Sequence, residues 1–497
     1  MSSERRKLVL GVSWTLTSTL VALLVGAILN PLLVFYVGVD GYGIWASAIA
    51  IASLLGLGGD LGVAGALTKF VAERRGQGQD AGSLARSALT YGLLAGVVAG
   101  LALAILSLFM DRYVNYDRFP LLLQLQAIQM PINLGTSSLI GLRQGRRQFR
   151  TIALFSITQA VASLLLALAL LTLGFGIPGV MIASLSASGF LFGALLYSSR
   201  PDLRFSGPVA LRSDFRRLVP FGLNLAGTNA LSVVLYEVDI VALSLIVRDP
   251  RIIGAYALAV FITRSLWILP SSIGMTTYPT ISEYFAAGEH RRASKYLSTA
   301  LAASVATIGS LTCGLILFGR PLLQLVFGPD SLPAFDYALF LVPGTAVLGC
   351  LRSVASSIPG SGRPDIGFRI AAFGAGLLLF LSVTMTLMWG VLGTATAVSV
   401  TFILVGVTLA RSINRFVIRG EPGLLSSNRV RFPALVGFVA SGLALLVAVS
   451  LVLDLTRSIA FLLIWIVVSA SLVLASGGKE TWGTFFQTFR PSPAERS

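Results

Sequence analysis

GYGIWASAIAIASLL at 41–55, followed by GGDLGVAGALTKFVAE at 58–73, sets the plan of this chain, because the same plan returns later. Residues 254–270 read GAYALAVFITRSLWILP, and MTTYPTISEYFAAGEHRR follows at 275–292. In both places a basic stretch and another long apolar helix come next. A match over so much of the chain, at a spacing of ~215 residues, indicates duplication of a half-molecule.

A second pair of matching segments extends the repeat. GLRQGRRQFRTIA at 141–153 matches PGSGRPDIGFRIA at 359–371, and FGIPGVMIAS at 175–184 matches MWGVLGTATAVS at 388–399. Each repeat holds an even number of predicted helices, so both halves enter the membrane in the same orientation. Their symmetry axis then runs along the membrane normal, and two such halves usually enclose a transport path.

The composition predicts a polytopic membrane protein. Hydrophobic residues make up 55% of the 497 positions and charged residues only 12%, against about 25% charged residues in an average soluble domain. Apolar runs long enough to cross a bilayer as helices recur along the whole chain. We predict fourteen spans at about these positions: 9–36, 42–68, 87–110, 119–142, 151–173, 177–199, 218–247, 252–282, 295–318, 334–357, 366–389, 391–413, 432–453 and 458–476.

The predicted fold class is therefore all-α integral membrane, with two parallel six-helix repeats that form two lobes around a central cavity. Residues 1–206 form the N-lobe with spans one to six, and residues 207–420 form the C-lobe with spans seven to twelve. Residues 421–497 contain spans thirteen and fourteen and a cytoplasmic tail. The second half of the linker at 200–217 is predicted to lie on the membrane surface as a basic amphipathic helix. The basic start of the chain runs into a long apolar helix without a small-residue cleavage site, which indicates a retained first span.

The distribution of lysine and arginine predicts the orientation. The chain holds 37 basic residues, and with fourteen spans most of them fall on the side of both termini. Positive loops stay in the cytoplasm, so both termini are predicted to be cytoplasmic, in the cell membrane. The net charge of +16 then reflects contact with membrane lipids rather than nucleic acid. The opposite side holds only Arg112, Arg118, Arg248, Arg251, Arg320 and Arg457.

In order and layout, these segments resemble the polysaccharide flippases, of the lipid-linked oligosaccharide or O-antigen type. The resemblance rests on three features: twelve repeated helices followed by two more, the segment GGDLGVAGALTKFVAE at 58–73, and the segment VDIVALSLIVRDPRIIGAYALA at 238–259. The family belongs to the multidrug/oligosaccharidyl-lipid/polysaccharide exporter superfamily. The resemblance implies alternating-access translocation of a polyprenyl-diphosphate-linked glycan for surface polysaccharides such as lipopolysaccharide. It also implies a polysaccharide polymerase or glycosyltransferases as possible partners.

Two arginines within spans are candidates for binding the diphosphate, because intramembrane charges are costly and a guanidinium suits phosphate oxygens. Arg264 lies near mid-bilayer in span eight, and an ion pair with Glu237 is the alternative interpretation. Arg352 lies ~28 Å into span ten, where it either meets the diphosphate from the cytoplasm or anchors at the inner interface.

Three carboxylates are candidates for ion coupling. Glu237 and Asp239 point about 200° apart on one helix, so only one of them can line a path. The resemblance favours Asp239, since an acidic residue at this point of span seven is usual in the family. Asp60 lies beside glycines in span two, and the alternative interpretation is an ion pair with Lys69 or Arg352, or a role in helix packing.

Asparagines within spans could bind sugar hydroxyls, although such residues also form hydrogen bonds between helices. Asn30 and Asn224 are the candidates for substrate contact. Cys313 and Cys350 both fall within spans, so no disulfide framework is expected, and no cofactor or metal site is predicted.

Other functions fit the sequence less well. No nucleotide-binding loop GxxxxGK[ST] occurs, and the lone histidine, His290, lies among arginines in a cytoplasmic loop, so an enzyme is not expected. A cation-coupled multidrug exporter favours an acidic cavity, whereas Arg264 favours anions. A peptidoglycan lipid-precursor flippase places basic residues in its first spans, and span one here has none.

Overall fold

Continuous apolar runs fold here as helices, because a helix satisfies its backbone N–H and C=O groups within one segment. In this computed structural model 92% of the described residues are helical, and none of them forms a strand. The structure describes residues 2–57, 62–77, 79–110, 116–203 and 211–418. Predicted spans thirteen and fourteen and the tail lie outside these residues.

The chain divides into two compact units, Met1–Gly254 and Ala255–Ser497. The helices of the first unit are α1 (Ser2–Gly56), α2 (Val63–Gly76), α3 (Gly82–Leu108), α4 (Phe119–Gly145), α5 (Phe149–Thr172), α6 (Gly176–Leu203) and α7 (Leu211–Ile246). The second unit begins within α8 (Pro250–Ser265) and continues with α9 (Ile268–Ala286), α10 (His290–Phe327), α11 (Pro333–Ala355), α12 (Ser357–Gly360) and α13 (Pro364–Ile413). A 3₁₀ turn at Pro329–Ser331 and a π-helical turn at Asn414–Ile418 complete its described part.

Many of these helices are long and apolar enough to cross a membrane. Within the described ranges seven helices meet that criterion, and an eighth span results if α8 and α9 are counted together. Apolar side chains lie exposed along the helices, for example Leu108 at 70% and Phe380 at 65%. In water such exposure would be unfavourable, whereas lipid tails solvate it. The chain is therefore a multi-pass membrane protein.

Single glycines interrupt two of the long helices. Gly38 has φ 74° and ψ 175° inside α1, and Gly390 has φ 60° and ψ −138° inside α13. Glycine adopts these angles easily because it lacks a Cβ atom. Across the second break the hydroxyls of Thr386 and Thr394 hydrogen-bond at 2.7 Å. Both breaks lie where two predicted spans meet, so α1 and α13 each contain a helical pair.

Three predicted segments differ from the observed helices. The span predicted at 42–68 is not one helix, because α1 ends at Gly56 and α2 begins only after Gly62, which has a left-handed φ of 69°. The span predicted at 252–282 is bent by 45° between α8 and α9. The predicted surface helix before span seven is not separate, since α7 already begins at Leu211.

Small residues bring α3 and α4 together in the first unit. Gly92, Gly96 and Gly100 lie on one face of α3, and a Cβ atom at any of them would collide with the backbone or a side chain of α4. Such a stripe lets two membrane helices approach closely. Helix α7 packs on α1 and α2. The predicted repeat assigns α7 to the C-lobe, so the lobe boundaries remain a prediction.

In the second unit, α11 packs closely against the second half of α13. The backbone N–H of Gly344 donates a hydrogen bond to the Ser399 hydroxyl at 2.8 Å. A Cβ atom at Gly344 would collide with the Ser399 backbone, so glycine is required for this approach. This contact positions α11, which carries Arg352, against the rest of the unit.

Candidate substrate-binding site

The bend between α8 and α9 positions the basic and aromatic groups of the candidate site. Pro270 lies in the first turn of α9 and has no N–H to donate to the carbonyl of Leu266. Just before it, the Trp267 N–H donates to the Arg264 carbonyl at 3.0 Å and closes a tight turn between α8 and α9. Pro270 therefore interrupts the predicted span shortly after Arg264, and α8 ends at Ser265.

The turn fixes the indole of Trp267 inside the second unit. Its Nε1–H donates to the carbonyl of Thr345 at 2.7 Å, and only 6% of the residue is exposed. Gly349 provides the space, because a Cβ atom there would lie 2.6 Å from the indole Cδ1. The ring of Phe402 lies 5.7 Å away, centroid to centroid. The indole therefore has a single position between α9, α11 and α13.

The Arg352 guanidinium lies on this indole. Its Cζ atom is 4.8 Å from the Trp267 ring centroid, and its Nε–H donates to the Ser271 hydroxyl at 2.9 Å. A cation over an indole face gains about 0.5–2 kcal/mol, more when it is desolvated. The side chain is half-buried and lies ~28 Å along α11 from Pro333. The guanidinium is thus held in one orientation, with a planar donor fork that suits phosphate oxygens.

Arg264 belongs to the same unit, in the last turn of α8 and half-buried. It lies ~21 Å along the helix from Pro250, too far for its side chain to reach the helix start. The second unit therefore holds both arginines that the sequence singles out, on opposite sides of the Trp267 turn along the chain.

The acidic candidates on α7 lie in the first unit. Asp239 is fully buried and Glu237 is half-buried. Their different exposure agrees with the helical geometry, which points the two carboxylates in nearly opposite directions. Asp60 lies outside the described residues.

Asn30 has hydrogen-bond partners within α1. Its Nδ2 donates to the Gly26 carbonyl at 2.7 Å, and its Oδ1 accepts from the Tyr42 hydroxyl at 2.9 Å. The Tyr42 contact connects the two halves of α1 across the break at Gly38. Asn30 thus stabilises this turn, and a contact with sugar stays a prediction. The side chain of Asn224 is not among those that the structure describes.

The turn at Gly38 closes against the start of α8. A Cβ atom at Gly43 would collide with the Pro250 carbonyl, and one at Gly254 would collide with the Val39 carbonyl. Backbone therefore touches backbone, within the two segments that open the sequence repeat. Beside this closure Arg251 and Asp40 form an exposed ion pair at 3.5 Å. Such a pair adds only about 0–1 kcal/mol, so the glycines provide most of the fit.

Sequence reasoning missed the residues that hold Arg352 in place. Trp267 and Ser271 carry no motif, although a tryptophan three residues after an intramembrane arginine is a signal that could have been used. Among the residues that the structure describes, no three His, Cys, Asp or Glu side chains are grouped so that they could hold a metal ion. The candidate binding groups in the described part of the second unit are the Arg352 guanidinium and the Trp267 indole.

A bundle of apolar helices with a half-buried arginine in a bent helix pair is typical of a membrane transporter. The family model described as polysaccharide biosynthesis protein matches residues 8–285, which is more than half of the chain. The chain belongs to this family, and its expected membership of the polysaccharide flippases is confirmed. A second model, MatE, matches residues 225–385. The chain is accordingly a transporter and not an enzyme.

Two curated relatives come from Haloferax volcanii. The chain is 24% identical over 398 residues to the probable flippase AglR, covering 79% of this chain and 80% of that protein. It is 23% identical over 166 residues to the probable low-salt glycan biosynthesis flippase Agl15. This second match spans 33% of the chain and only 35% of Agl15.

Solved structures share the fold. The lipid II flippase MurJ, in an inward closed conformation, matches with a TM-score of 0.69 at 16% identity, over 95% of this chain and 99% of MurJ. The MATE multidrug transporter DinF-BH, solved in complex with R6G, matches with a TM-score of 0.61 at 17% identity. That match covers 81% of this chain and 94% of DinF-BH. At these identities the likeness concerns the fold alone.

Proposed function

We propose that this protein translocates a polyprenyl-diphosphate-linked oligosaccharide across the cytoplasmic membrane by alternating access. Family membership supports a flippase, and the names of the relatives AglR and Agl15 support a glycan-related cargo. The observation that carries the proposal is the Arg352 guanidinium, held between the Trp267 indole and the Ser271 hydroxyl. A fixed cation in an apolar bundle suits an anionic headgroup.

The diphosphate needs cationic partners while it crosses the hydrocarbon layer, because an isolated charge there costs several kcal/mol or more. Arg352 and Arg264 are separated along the chain by the bend of α8 and α9. In the predicted topology Arg352 is nearer the cytoplasmic side and Arg264 is deeper. We infer that Arg352 receives the diphosphate first and that Arg264 binds it farther along the path.

The architecture proposed for this function has fourteen spans in two parallel repeats. Equivalent contacts in the two halves support the duplication. The Thr68 hydroxyl donates to the carbonyls of Ala64 and Gly141, and the Ser282 hydroxyl donates likewise to Tyr278 and Gly360.

A second pair of contacts supports the same duplication. Gln129 contacts Ser184, and Gly344 contacts Ser399, across the same separation of 55 residues. Ser184 and Ser399 end the matching segments at 175–184 and 388–399. Rocking of two like-oriented halves would then expose the cargo to either side in turn.

Closure between the turn at Gly38 and the start of α8 suits one end state of such a cycle. In the predicted topology this contact lies on the outer side, so outward opening requires it to separate. Asp239 remains the candidate for coupling to a cation, and both termini are proposed to be cytoplasmic. A polymerase or glycosyltransferases as partners follow only from the cargo.

Transport by purified protein in liposomes tests the proposal. The probe is a fluorescent polyprenyl-diphosphate-linked disaccharide, and its outer-leaflet fraction is read by chemical quenching. We expect the wild type to equilibrate the probe between leaflets. Arg352→Ala should slow flipping at least tenfold, whereas Arg352→Lys should retain part of the rate because it keeps the charge but loses the fork. Arg320→Ala, at an exposed arginine of the same unit, should flip at the wild-type rate.

Competing functions give different results in the same liposomes. A multidrug exporter would move a lipophilic cation dye and leave the glycolipid in place. A peptidoglycan-precursor flippase would move only a probe carrying that precursor. Wild-type protein that does not equilibrate the polyprenyl-diphosphate-linked disaccharide between leaflets would refute the proposal.

A further inference from the structure

Helices α4 and α6 of the first unit align a set of polar side chains within an apolar bundle. The contacts follow a constant register, Gln126 with Met181 and Gln129 with Ser184, so the helices run parallel. Gln129 also reaches Ser188, one turn farther along α6. Gln129 lies ~15 Å along α4 from Phe119, which puts this group near the middle of the predicted span.

The carboxamide of Gln129 is satisfied at one end only. Its Nε2 donates to the hydroxyls of Ser184 and Ser188 at 3.1 and 3.0 Å. Its Oε1 is buried and accepts no hydrogen bond from the residues that the structure describes, and the residue as a whole is only 7% exposed. Exchanging the amide oxygen and nitrogen would leave the other group without a partner. A buried carboxamide end with no partner is unfavourable and indicates a place for a bound polar group.

Gln159 of α5 completes this carboxamide cluster, which we define as Gln126, Gln129, Gln159, Ser184 and Ser188. Its Nε2 donates to the Ser188 hydroxyl at 3.5 Å, the longest contact of the set. Three members, Gln126, Gln159 and Ser184, are half-buried, so the cluster extends from the buried Gln129 to the surface of the unit.

Helix packing alone does not require these residues. The corresponding contact of the second unit joins Gly344 to Ser399, where a glycine occupies the place of Gln129. There the two helices pack backbone against side chain without a carboxamide. The buried carboxamide is therefore particular to the first unit at this position, where the second unit has Gly344.

We propose that the carboxamide cluster binds hydroxyl groups of the glycan carried by the cargo, an inference that rests on the proposed function. The cluster consists of neutral amides and hydroxyls, which suit an uncharged polyol better than an ion. A sugar hydroxyl both donates and accepts, so it satisfies the unmatched end of Gln129 in either amide orientation. The first unit thereby offers carboxamides for the sugar, and the second unit offers cationic groups for the diphosphate.

Binding of two classes of soluble probe tests this division. One is farnesyl diphosphate, and the other is farnesyl diphosphate carrying a disaccharide, prepared with glucosyl, galactosyl, mannosyl and N-acetylglucosaminyl units. Calorimetry on the full chain in nanodiscs measures both affinities. We expect at least one glycosylated probe to bind more tightly than the bare diphosphate.

Substitutions then separate the two ends of the cargo. Gln129→Leu should weaken that probe about tenfold, or ~1.4 kcal/mol, and leave the bare diphosphate within about twofold. Gln159→Leu, at the half-buried edge, should act in the same direction if Gln129→Leu does not fold. Gln124→Leu is the matched control, since Gln124 is exposed on the same helix.

Each outcome has a distinct meaning. The glycan site is disproved if wild type binds all glycosylated probes no better than the bare diphosphate. It is also disproved if Gln129→Leu weakens binding of both classes equally. That result would indicate that Gln129 binds a structural water and not the sugar. Equally weakened binding of both classes by Arg352→Ala, with the preference for the glycosylated probe retained, would support the proposed function separately. Wild-type protein that binds neither class would overturn the proposed function itself.

Discussion

A methyl group at Gly43 should open the closure between the turn of α1 and the start of α8. The added Cβ atom would collide with the Pro250 carbonyl and lie 2.6 Å from the Gly254 amide nitrogen. Both are backbone atoms, so no side-chain rotation relieves the overlap and the two segments must move apart. Overpacking of this kind costs about 1–3 kcal/mol.

That cost converts into a change of population. We expect the closed arrangement to lose about 5- to 150-fold relative to arrangements in which the segments separate. Gly254→Ala should have the same effect, because its Cβ atom would collide with the Val39 carbonyl from the opposite side.

Spin labels on either side of the closure measure the separation. Phe35→Cys and Arg248→Cys place labels at exposed positions, in a background with Cys313 and Cys350 replaced by Ala. Pulsed electron resonance should show a longer label-to-label distance in Gly43→Ala. The control is Gly26→Ala on the same helix, where nothing lies within 4 Å of the added methyl. Unchanged distances in both Gly43→Ala and Gly254→Ala would refute the reasoning.

Three further substitutions test separate parts of the molecule. Arg264→Ala should abolish glycolipid flipping in liposomes without loss of membrane insertion, because it removes a charge ~21 Å along α8 from Pro250, deep within the predicted span. Asp239→Asn should remove any dependence of transport on a sodium or proton gradient, since the amide keeps the shape of the buried carboxylate and loses its charge. Gly96→Ala should lower the unfolding midpoint in detergent, with about 1–3 kcal/mol of overpacking against the Pro131 backbone.

Normal export by Arg264→Ala, judged beside Arg320→Ala, would end the role of Arg264 in the path. Full ion dependence in Asp239→Asn would exclude coupling through that carboxylate. Gly189→Ala adds a methyl to open space on α6, so an equal midpoint for it and Gly96→Ala would contradict the close packing of α3 on α4.

Breaks in the helices were partly predictable. Gly390 separates two predicted spans, and Pro270 explains the bend after Arg264, because each residue acts through its own backbone chemistry. The interruption between Gly56 and Val63 was missed, although several glycines stand there. The apolar composition of residues 42–68 predicts one continuous span, because composition does not show which glycine adopts a left-handed conformation.

The candidate site was only half predictable. Arg264 and Arg352 stand out as charges in apolar runs. The partners of Arg352 did not, since Ser271 lies 81 residues away in the chain. Gln129 was missed for a similar reason, because a glutamine in a span is unremarkable until its two serine partners, 55 and 59 residues later, lie beside it.

By itself, the amino-acid sequence determined the membrane class, the helical backbone and the family, because these follow from local composition and from the order of segments. The repeated plan of the fold stays a prediction from the sequence. Tertiary structure alone decided that Trp267 and Ser271 hold Arg352, that Gly43 meets the start of α8, and that Gln129 faces α6. Helices that are apolar on every side carry no periodic signal for which face packs where. The rotation of each helix therefore depends on contacts that form only when distant segments meet.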